Sequence, residues 1–401
     1  MPGMRAPEPM SSDPEQRIAA LKAAIEERIL VLDGAMGTSI QALDLAAADF
    51  GGPDLEGCNE HLVLTLPDAI RGIHEDFLAA GCDVVETDTF GATPLVLAEY
   101  GLAEKAREIN AVAARLAREA AAAFTTADRP RFVAGSMGPT TKTISVTGGI
   151  TWDELAEHYR VQAEGLIEGG ADVLLLETSQ DTLNVKAGLV GIDRAQAALG
   201  TAVPIAVSGT IEVMGTLLAG QDVEAFYVSL AHRDLLWIGL NCATGPDFMT
   251  DHLRTLAALA RFPVACVPNA GLPDENGHYN ETPSMIAAKL ARFMSSGWVN
   301  LVGGCCGTVP EHIRLLAEAA RGKPPRAIPE ARRSAVSGIE TLVIDQDTRP
   351  VIVGERTNVL GSRKFKQLIA AGQIEEASEI GRLQVRRGAH VIDVCLQDPD
   401  R

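Results

Sequence analysis

The sequence has no apolar run of the roughly 18 residues that a membrane-spanning helix needs. Its first residues, MPGMRAPEPMSSDPEQ, are polar and proline-rich, and they lack the apolar segment of a secretory signal peptide. We therefore expect a cytoplasmic protein that does not enter a membrane. Residues 1–14 are predicted to be a flexible tail.

Basic residues are scarce, since 35 Lys and Arg stand against 53 Asp and Glu, for a net charge of −18. The acidic excess falls within residues 1–320, because basic residues outnumber acidic ones from residue 321 onward. A protein surface with this excess of negative charge repels nucleic acid and anionic membranes, so we expect neither as a partner. The excess of negative charge is compatible with a small-molecule ligand, and it is equally compatible with an ordinary solvated surface that has no binding role.

Two further absences bear on the fold: no G-x-G-x-x-G follows the first apolar run, and no repeat of solenoid length is evident. Eight short apolar runs rich in β-branched residues are present instead, at 29–36, 82–90, 131–138, 171–179, 204–211, 235–243, 262–271 and 299–307. Amphipathic segments such as 66–81, 152–170 and 282–297 alternate with them. This pattern predicts an α/β fold, a (β/α)8 TIM barrel over residues 15–320. A doubly wound open sheet is the alternative.

The chain beyond residue 320 changes character. Residues 321–339 are rich in Pro, Ala and Arg without an apolar period, which predicts a linker. Residues 340–401 contain two strand-like runs, VIVGERTN and AHVIDVCLQD, around one helical stretch at 364–388. This second β-α-β pattern is predicted to be the incomplete start of another β/α barrel.

Seven scattered cysteines do not suggest a disulfide framework. Cys242 ends the sixth apolar run, and the adjacent Cys305 and Cys306 end the eighth. Strand ends converge on one rim of a barrel, so these thiols would meet there and offer Zn²⁺ a soft, three-ligand site. Glycines at 303, 304 and 307 would let the chain turn both neighbouring sulfurs toward one ion. A reactive vicinal pair and inert buried cysteines are the alternatives, and the cysteines at 58, 82, 266 and 395 are predicted to be packing residues.

Polar residues close several other apolar runs, and each has a structural alternative. Asp33 would line the rim or form an Asx turn at the strand end. Glu177 ends the most apolar run of the chain, and a purely structural role is the alternative. Asp88 would contact a ligand or cap a helix.

Seven short motifs resemble the zinc- and homocysteine-binding barrel of the homocysteine S-methyltransferases over residues 29–320. They are LDGAMGT, ETDTFGAT, AGSMGPT, LLLETSQD, LNCATGP, PNAGLP and GGCCGT. VGERTNVLGSRKF and HVIDVCLQDPD resemble the opening of the pterin-binding barrel of cobalamin-dependent methionine synthases. The second resemblance favours the N-terminal part of that branch over betaine- or S-methylmethionine-dependent relatives.

The resemblance implies roles for nine residues. Zn²⁺ would be held, as the catalytic centre, by Cys242, Cys305 and Cys306. Asn269 would approach the metal in the absence of substrate. The homocysteine amino group would be held by Asp33 and Glu177, and its carboxylate by Gly135 and Ser136. Asp88, where the family commonly has Asn, would add charge near the substrate.

The resemblance also implies an activity, the synthesis of methionine. Zinc would bind the homocysteine thiol and release its proton, and the sulfur would attack the methyl group of methylcobalamin carried by a module outside these residues. Methyltetrahydrofolate would bind only to a completed second barrel. A transferase that uses betaine or S-methylmethionine directly is one alternative, and a non-catalytic zinc-stabilised binding module is another.

Overall fold

The structure is a computed structural model that describes residues 13–275, 277–330 and 333–398. The described residues divide after Glu330 into two compact units. The predicted tail lies outside the described residues except for Asp13, which caps the first helix, and Pro14, which begins it. Within the described ranges, no helix has both the length and the apolar character that crossing a membrane requires.

The first unit alternates strands and helices. Its strands are β1 (Leu30–Val31), β2 (Val84–Glu86), β3 (Phe132–Met137), β4 (Val173–Ser179), β5 (Ile205–Gly209), β6 (Trp237–Asn241), β7 (Val264–Val267) and β8 (Leu301–Val302). Its helices are α1 (Pro14–Glu27), α2 (Met36–Gln41), α3 (Leu62–Thr65), α4 (Pro67–Ala80), α5 (Pro94–Leu97), α6 (Ala106–Phe124), α7 (Trp152–Gly169), α8 (Thr182–Leu199), α9 (Val223–Leu230), α10 (Pro246–Leu259), α11 (Pro283–Ser295) and α12 (Pro310–Ala320).

Eight strands of the described chain form one parallel sheet in the order β1-β8-β7-β6-β5-β4-β3-β2. A parallel bridge between Leu32 and Val84 joins β1 to β2, and this bridge closes the sheet into a barrel. Each strand is followed by a helix of the outer layer: α4, α6, α7, α8, α9, α10, α11 and α12. The predicted (β/α)8 TIM barrel is confirmed, and the open doubly wound sheet is wrong.

A buried carboxylate stabilises the junction between β1 and β2, where the barrel closes. Asp83, just before β2, accepts a hydrogen bond at 3.0 Å from the backbone N–H of Val31 and one at 2.7 Å from the Arg28 guanidinium. Arg129 and Arg131 each reach its second oxygen at 3.2 Å. A buried charge is tolerated when it is paired and hydrogen-bonded in this way. Asp83 therefore ties the barrel together at the amino ends of its strands.

The barrel interior is a packed apolar core. Leu30 of β1 and Leu32, directly after β1, belong to one buried cluster with Trp237 of β6. Leu21 and Ile25 of helix α1 belong to the same cluster. Because side chains fill the interior and α1 contributes to it, a ligand site is expected at the carboxyl ends of the strands.

One buried histidine couples folding to pH. His74 lies on α4 and is fully buried, and neither ring nitrogen has a hydrogen-bond partner among the described residues. Burial lowers the pKa of His74 from 6.5 to about 4. The imidazole is therefore neutral in the folded protein at pH values where an unfolded chain already binds the proton.

Replacing His74 with Leu should remove an acid-sensitive part of the stability. Between pH 6.5 and 4 the unfolded state binds more protons at this residue, so the free energy of unfolding falls as the pH falls. The loss is about 2 kcal/mol at pH 5 and absent above pH 7. Denaturant unfolding at pH 7.5 and 5 should show a smaller decline for His74→Leu than for the parent. The exposed His232→Leu variant controls for loss of a histidine, and parallel declines of parent and His74→Leu would contradict the assignment.

The second unit contains strands β9 (Ala335–Ser337), β10 (Thr341–Val343), β11 (Val353–Asn358) and β12 (Val391–Cys395), and helices α13 (Arg363–Ala370) and α14 (Ile374–Arg386). β11 and β12 pair in parallel around the two helices. The single helix predicted at 364–388 is wrong, because Gly372 takes a φ of +70° and separates α13 from α14. The segment predicted as a linker contains β9, which pairs antiparallel with β10.

Candidate metal centre and active site

Three thiols meet at the carboxyl ends of the strands. Cys242 directly follows β6, and Cys305 and Cys306 lie just beyond β8. The Sγ atom of Cys306 is 3.8 Å from that of Cys242 and 3.9 Å from that of Cys305, and all three sulfurs lie within 4.8 Å of one another. We call these residues the thiol cluster.

The sulfur spacing fits a tetrahedral metal ion. A disulfide would need the sulfurs about 2.05 Å apart, so these cysteines are separate thiols. Zinc–sulfur bonds of about 2.3 Å in a tetrahedron give sulfur–sulfur edges of about 3.8 Å. Among the described residues, no fourth His, Asp or Glu joins the group. The arrangement therefore supplies three corners of a tetrahedral site, which is typical of a catalytic zinc centre.

Cys242 lies in a backbone segment whose conformation is unusual for non-glycine residues. Cys242 has a φ of +61° and Ala243 a φ of +52°, and Thr178 near the end of β4, two strands away in the sheet, has a φ of +50°. Such conformations cost free energy and persist where the surroundings impose them, as they do at functional sites. Three of the four such residues in the described chain lie at this rim.

The turn that carries the other two thiols depends on its glycines in two ways. Gly307 has a φ of +79°, which a residue with a side chain rarely adopts. Gly303 and Gly304 have no positive φ and are needed for room. A Cβ atom at 303 would lie 2.8 Å from Cβ of Leu32, and one at 304 would lie 2.5 Å from Oγ1 of Thr308. The conformational freedom predicted for these glycines is therefore needed at Gly307. Gly303 and Gly304 are needed because a side chain at either position would clash with its neighbours.

A cavity of about 250 Å³ opens beside the thiol cluster. Seven of the nine predicted site residues line it: Asp33, Asp88, Ser136, Glu177, Cys242, Cys305 and Cys306. Its lining also includes Glu60 and Glu86, so five carboxyl groups face it without a Lys or Arg side chain among the described lining residues. The cavity is suited to a ligand that carries positive charge.

Glu177 is held rigidly at the cavity wall. The hydroxyl of Ser136 donates a hydrogen bond to its Oε1, and the amide of Asn241 donates one to its Oε2 at 3.3 Å. The same amide group donates to the Thr178 hydroxyl at 2.8 Å. Burial raises the pKa of Glu177 to about 7. The Ser136 hydroxyl, predicted to bind a substrate carboxylate, is thus engaged with a protein carboxylate.

Asp33 and Glu86 lie beside Glu177, and we call these three residues the carboxylate cluster. Asp33 accepts a hydrogen bond at 3.0 Å from the backbone N–H of Glu86. Burial raises the pKa values of Asp33 and Glu86 well above their usual range, and the charge of Glu177 raises both further. Glu86 was missed as a site residue, although it stands in the polar end of the second apolar run. A bound cation would favour the charged forms of these carboxyl groups and so lower their pKa values.

Asp88 forms a second acidic site on the cavity with Glu60. Asp88 is buried, and its Oδ2 has no hydrogen-bond partner among the described residues. Burial raises the pKa of Asp88, and the nearby Glu60 charge raises it further. The alternative role as a helix cap is wrong, because α5 begins later in the chain and is capped by Thr93.

Two of the predicted site residues lie outside the cavity lining. Gly135 on β3 faces the helix layer, since a Cβ atom there would lie 2.9 Å from Leu166 of α7. Asn269 is buried, and its Oδ1 has no hydrogen-bond partner in the described structure. The residues on either side of Asn269 bond to the backbone of Cys305 and Cys306, so it lies next to their turn.

The remaining cysteines are separate from this centre. Cys58, Cys82 and Cys266 are buried in the apolar core between strands and helices. Burial raises the pKa values of the Cys58 and Cys266 thiols to about 12, which leaves them unreactive. Cys395 is half-buried at the end of β12 in the second unit.

Comparison with known proteins agrees with this arrangement. The family described as homocysteine S-methyltransferase matches residues 30–320. The metallated form of the homocysteine methyltransferase MmuM from Escherichia coli is 25% identical with a TM-score of 0.62, and the match covers 75% of this chain and 99% of that one. The oxidized form is 24% identical with a TM-score of 0.60, and covers 77% and 99%. The apo form is 22% identical with a TM-score of 0.56, and covers 77% and 100%.

Proposed function

The chain belongs to the homocysteine S-methyltransferase family, and from this premise we propose that it is a zinc-dependent enzyme that methylates homocysteine to form methionine. We propose the thiol cluster, Cys242, Cys305 and Cys306, as the zinc ligands. The observation that carries the proposal is the spacing of these sulfurs at tetrahedral distances beside an acidic cavity. Thiols that must stay reduced suit the cytoplasm.

The protein side chains would bind and orient the substrate beside the metal. Bound zinc would supply the acidity that lowers the pKa of the homocysteine thiol from its usual value near 8.5. The anionic cysteines keep the centre electron-rich, so the substrate sulfur stays nucleophilic. The carboxylate cluster would hold the substrate ammonium group, with Glu177 oriented by Ser136 and Asn241. Asn269 lies next to the turn that carries Cys305 and Cys306, and it would be a metal ligand when substrate is absent.

For the methyl donor, the first candidate is methylcobalamin on a separate cobalamin-binding module or chain. Large apolar side chains are exposed around the rim that carries the thiol cluster. They lie in the loops that follow the strands or at the starts of the next helices: Leu43, Phe90, Val146, Leu183, Val213, Met214, Leu218, Phe248, Leu272, Met285 and Val309. Among the described residues of the first unit, only Ile328 is exposed to this extent elsewhere. An apolar surface of this kind favours docking of a protein partner.

A second candidate donor is a small cation such as S-methylmethionine or betaine. The observation that favours it is the pair of Glu60 and Asp88, which lines the cavity apart from the carboxylate cluster. A substrate with one ammonium group does not need both acidic sites. The second site would therefore be available to a sulfonium or quaternary ammonium group.

An assay that offers each donor separately tests the proposal. Zinc-loaded protein with homocysteine is given methylcobalamin, S-methylmethionine or betaine, and methionine is measured by mass spectrometry. Methionine from methylcobalamin alone is the expected result. Methionine from a small cation alone would select the second candidate. A protein that binds zinc but neither binds homocysteine nor forms methionine would be a non-catalytic module, and the proposed function would be wrong.

We propose further that residues 340–401 are the opening of a second β/α barrel, which would bind methyltetrahydrofolate only when completed. Parallel strands are normally covered on both faces by further structure. The second unit instead leaves Val394 and Leu396 more than half exposed around β12, together with Val385 on α14.

Removing the second unit should leave the first unit intact, because the barrel closes on itself. A chain that ends at Glu330 is expected to match the full chain in melting temperature of the barrel, zinc content and homocysteine affinity. Calorimetry and metal analysis measure these quantities. Loss of folding or of zinc in the shorter chain would contradict the division.

A further inference from the structure

A second cavity lies at the amino ends of the strands, at the opposite end of the barrel from the thiol cluster. Its volume is about 240 Å³, and it opens between the junction of β1 with β2 and the carboxyl end of α12. The charged residues of its lining are Arg28, Asp83, Asp128, Arg129 and Arg321. We call it the arginine cavity. The proposed methyl transfer uses none of these residues.

Three guanidinium groups share the single carboxylate of Asp83. Arg28 contacts both of its oxygens, at 2.7 and 3.1 Å, and Arg129 and Arg131 each reach Oδ1 at 3.2 Å. One carboxylate neutralises one guanidinium, so two positive charges remain. Burial lowers the pKa of Arg131, and the Arg129 charge lowers it further. The arginines therefore repel one another, and an anion bound beside them would offset this repulsion.

Two of the arginines have donors that the protein does not use. Arg129 donates from Nε to Asp83 and from Nη2 to the carbonyl of Gly81, and its Nη1 has no partner among the described residues. Arg321 is exposed, and its side chain forms no hydrogen bond or ion pair within the described structure. The side chains of Arg28 and Arg129 are 36% and 38% exposed. An anion in the cavity can accept from these groups without displacing a protein contact.

The charge of the arginine cavity contrasts with that of the unit around it. Acidic residues outnumber basic ones within residues 1–320. At the cavity, four arginines, with Arg131 included, stand against Asp83 and Asp128, which gives a net charge of +2. Arginine binds phosphate and carboxylate oxygens through paired N–H donors. A phosphate dianion matches both this charge and these donors.

We propose that the arginine cavity binds a doubly charged oxyanion, either free phosphate or the phosphoryl group of a small metabolite. The anion accepts hydrogen bonds from Arg129 and Arg321 and balances the positive charge that Asp83 leaves uncompensated. Its binding stabilises the folded barrel where β1 meets β2. The site is separate from the acidic cavity, so the proposal does not depend on the proposed function.

Calorimetric titration of the zinc-loaded full chain with inorganic phosphate, at pH 8 and low ionic strength, tests the proposal. The parent should bind one phosphate per chain. Arg321→Gln should weaken binding roughly tenfold through loss of a charged hydrogen bond. Its melting temperature without phosphate should stay unchanged, because Arg321 has no protein partner within the described structure. Asp128→Asn should strengthen binding, because it removes a negative charge from the lining.

Arg254→Gln is the matched control, since Arg254 is an exposed arginine on α10 outside the cavity lining, and phosphate affinity should be unchanged. A parallel titration with ribose 5-phosphate distinguishes the two sources of the anion. Tighter binding than that of inorganic phosphate assigns the site to a phosphorylated metabolite, and weaker binding assigns it to free phosphate. A parent that binds neither anion saturably would overturn the proposal. Equal phosphate affinity of the parent, Arg321→Gln and Asp128→Asn would place the phosphate elsewhere, and this result would also overturn it.

Discussion

Replacing any one of Cys242, Cys305 and Cys306 with Ser should remove bound zinc and abolish methionine formation. The three sulfurs are the protein donors of the proposed site, and a hydroxyl is a poor substitute for a thiolate. Zinc sites of this kind bind with more than 10 kcal/mol in total, so the loss of one ligand should weaken zinc binding by on the order of a hundredfold or more. Metal analysis after dialysis against a weak chelator measures the effect.

Cys395→Ser is the matched control for this experiment. Cys395 is also partly exposed, but it lies in the second unit at the end of β12. Its replacement should leave one zinc per chain and full activity. If any single variant of the thiol cluster keeps one zinc per chain, the ligand assignment is wrong.

Glu177→Gln should weaken homocysteine binding by about ten- to a hundredfold without loss of zinc. The variant loses a charged hydrogen bond to the substrate ammonium group, worth roughly 1.5–3 kcal/mol. The local structure should survive, because a glutamine oxygen still accepts from Asn241, and its amide nitrogen donates to the Ser136 hydroxyl. Titration calorimetry on zinc-loaded protein measures the affinity.

Glu164→Gln provides the matched control for Glu177→Gln. Glu164 is also a buried glutamate, but it lies on α7 in ion pairs with Arg107 and Arg160. Homocysteine affinity should be unchanged in this variant. Equal affinity of Glu177→Gln and the parent would reduce Glu177 to a structural role.

The sequence allowed the fold and the place of the thiols to be predicted because both depend on regular spacing. Eight apolar runs at regular intervals require parallel strands covered by helices, and parallel closure brings all carboxyl ends to one rim. Cys242 and the pair Cys305–Cys306 had to meet there once β6 and β8 were separated by a single strand. Asp33, Asp88 and Glu177 reached the same cavity for the same reason.

The direction of the side chains at the strand ends could not be predicted from the sequence. Successive residues of a strand point to opposite faces, so Gly135 faces a helix while Ser136 faces the cavity. Glu86 is the last residue of β2, two residues before Asp88, and it lines the cavity with the carboxylate cluster. The left-handed backbone at Cys242 is imposed by tertiary packing and leaves no sequence signal.

The break within the predicted C-terminal helix was also not predicted. The break between α13 and α14 has a signal in Gly372, but an isolated glycine is compatible with a continuous helix. Local sequence does not decide such cases, because contacts distant in the chain determine the outcome.

The central claim is that homocysteine binds through its sulfur to a metal held by the thiol cluster. X-ray absorption at the zinc edge, recorded with and without saturating homocysteine, tests it most directly. The expected result is a rise from three to four sulfur neighbours at about 2.3 Å, with release of a proton in parallel titrations. A saturated complex whose zinc still has three sulfur neighbours, with no proton released, would contradict the account.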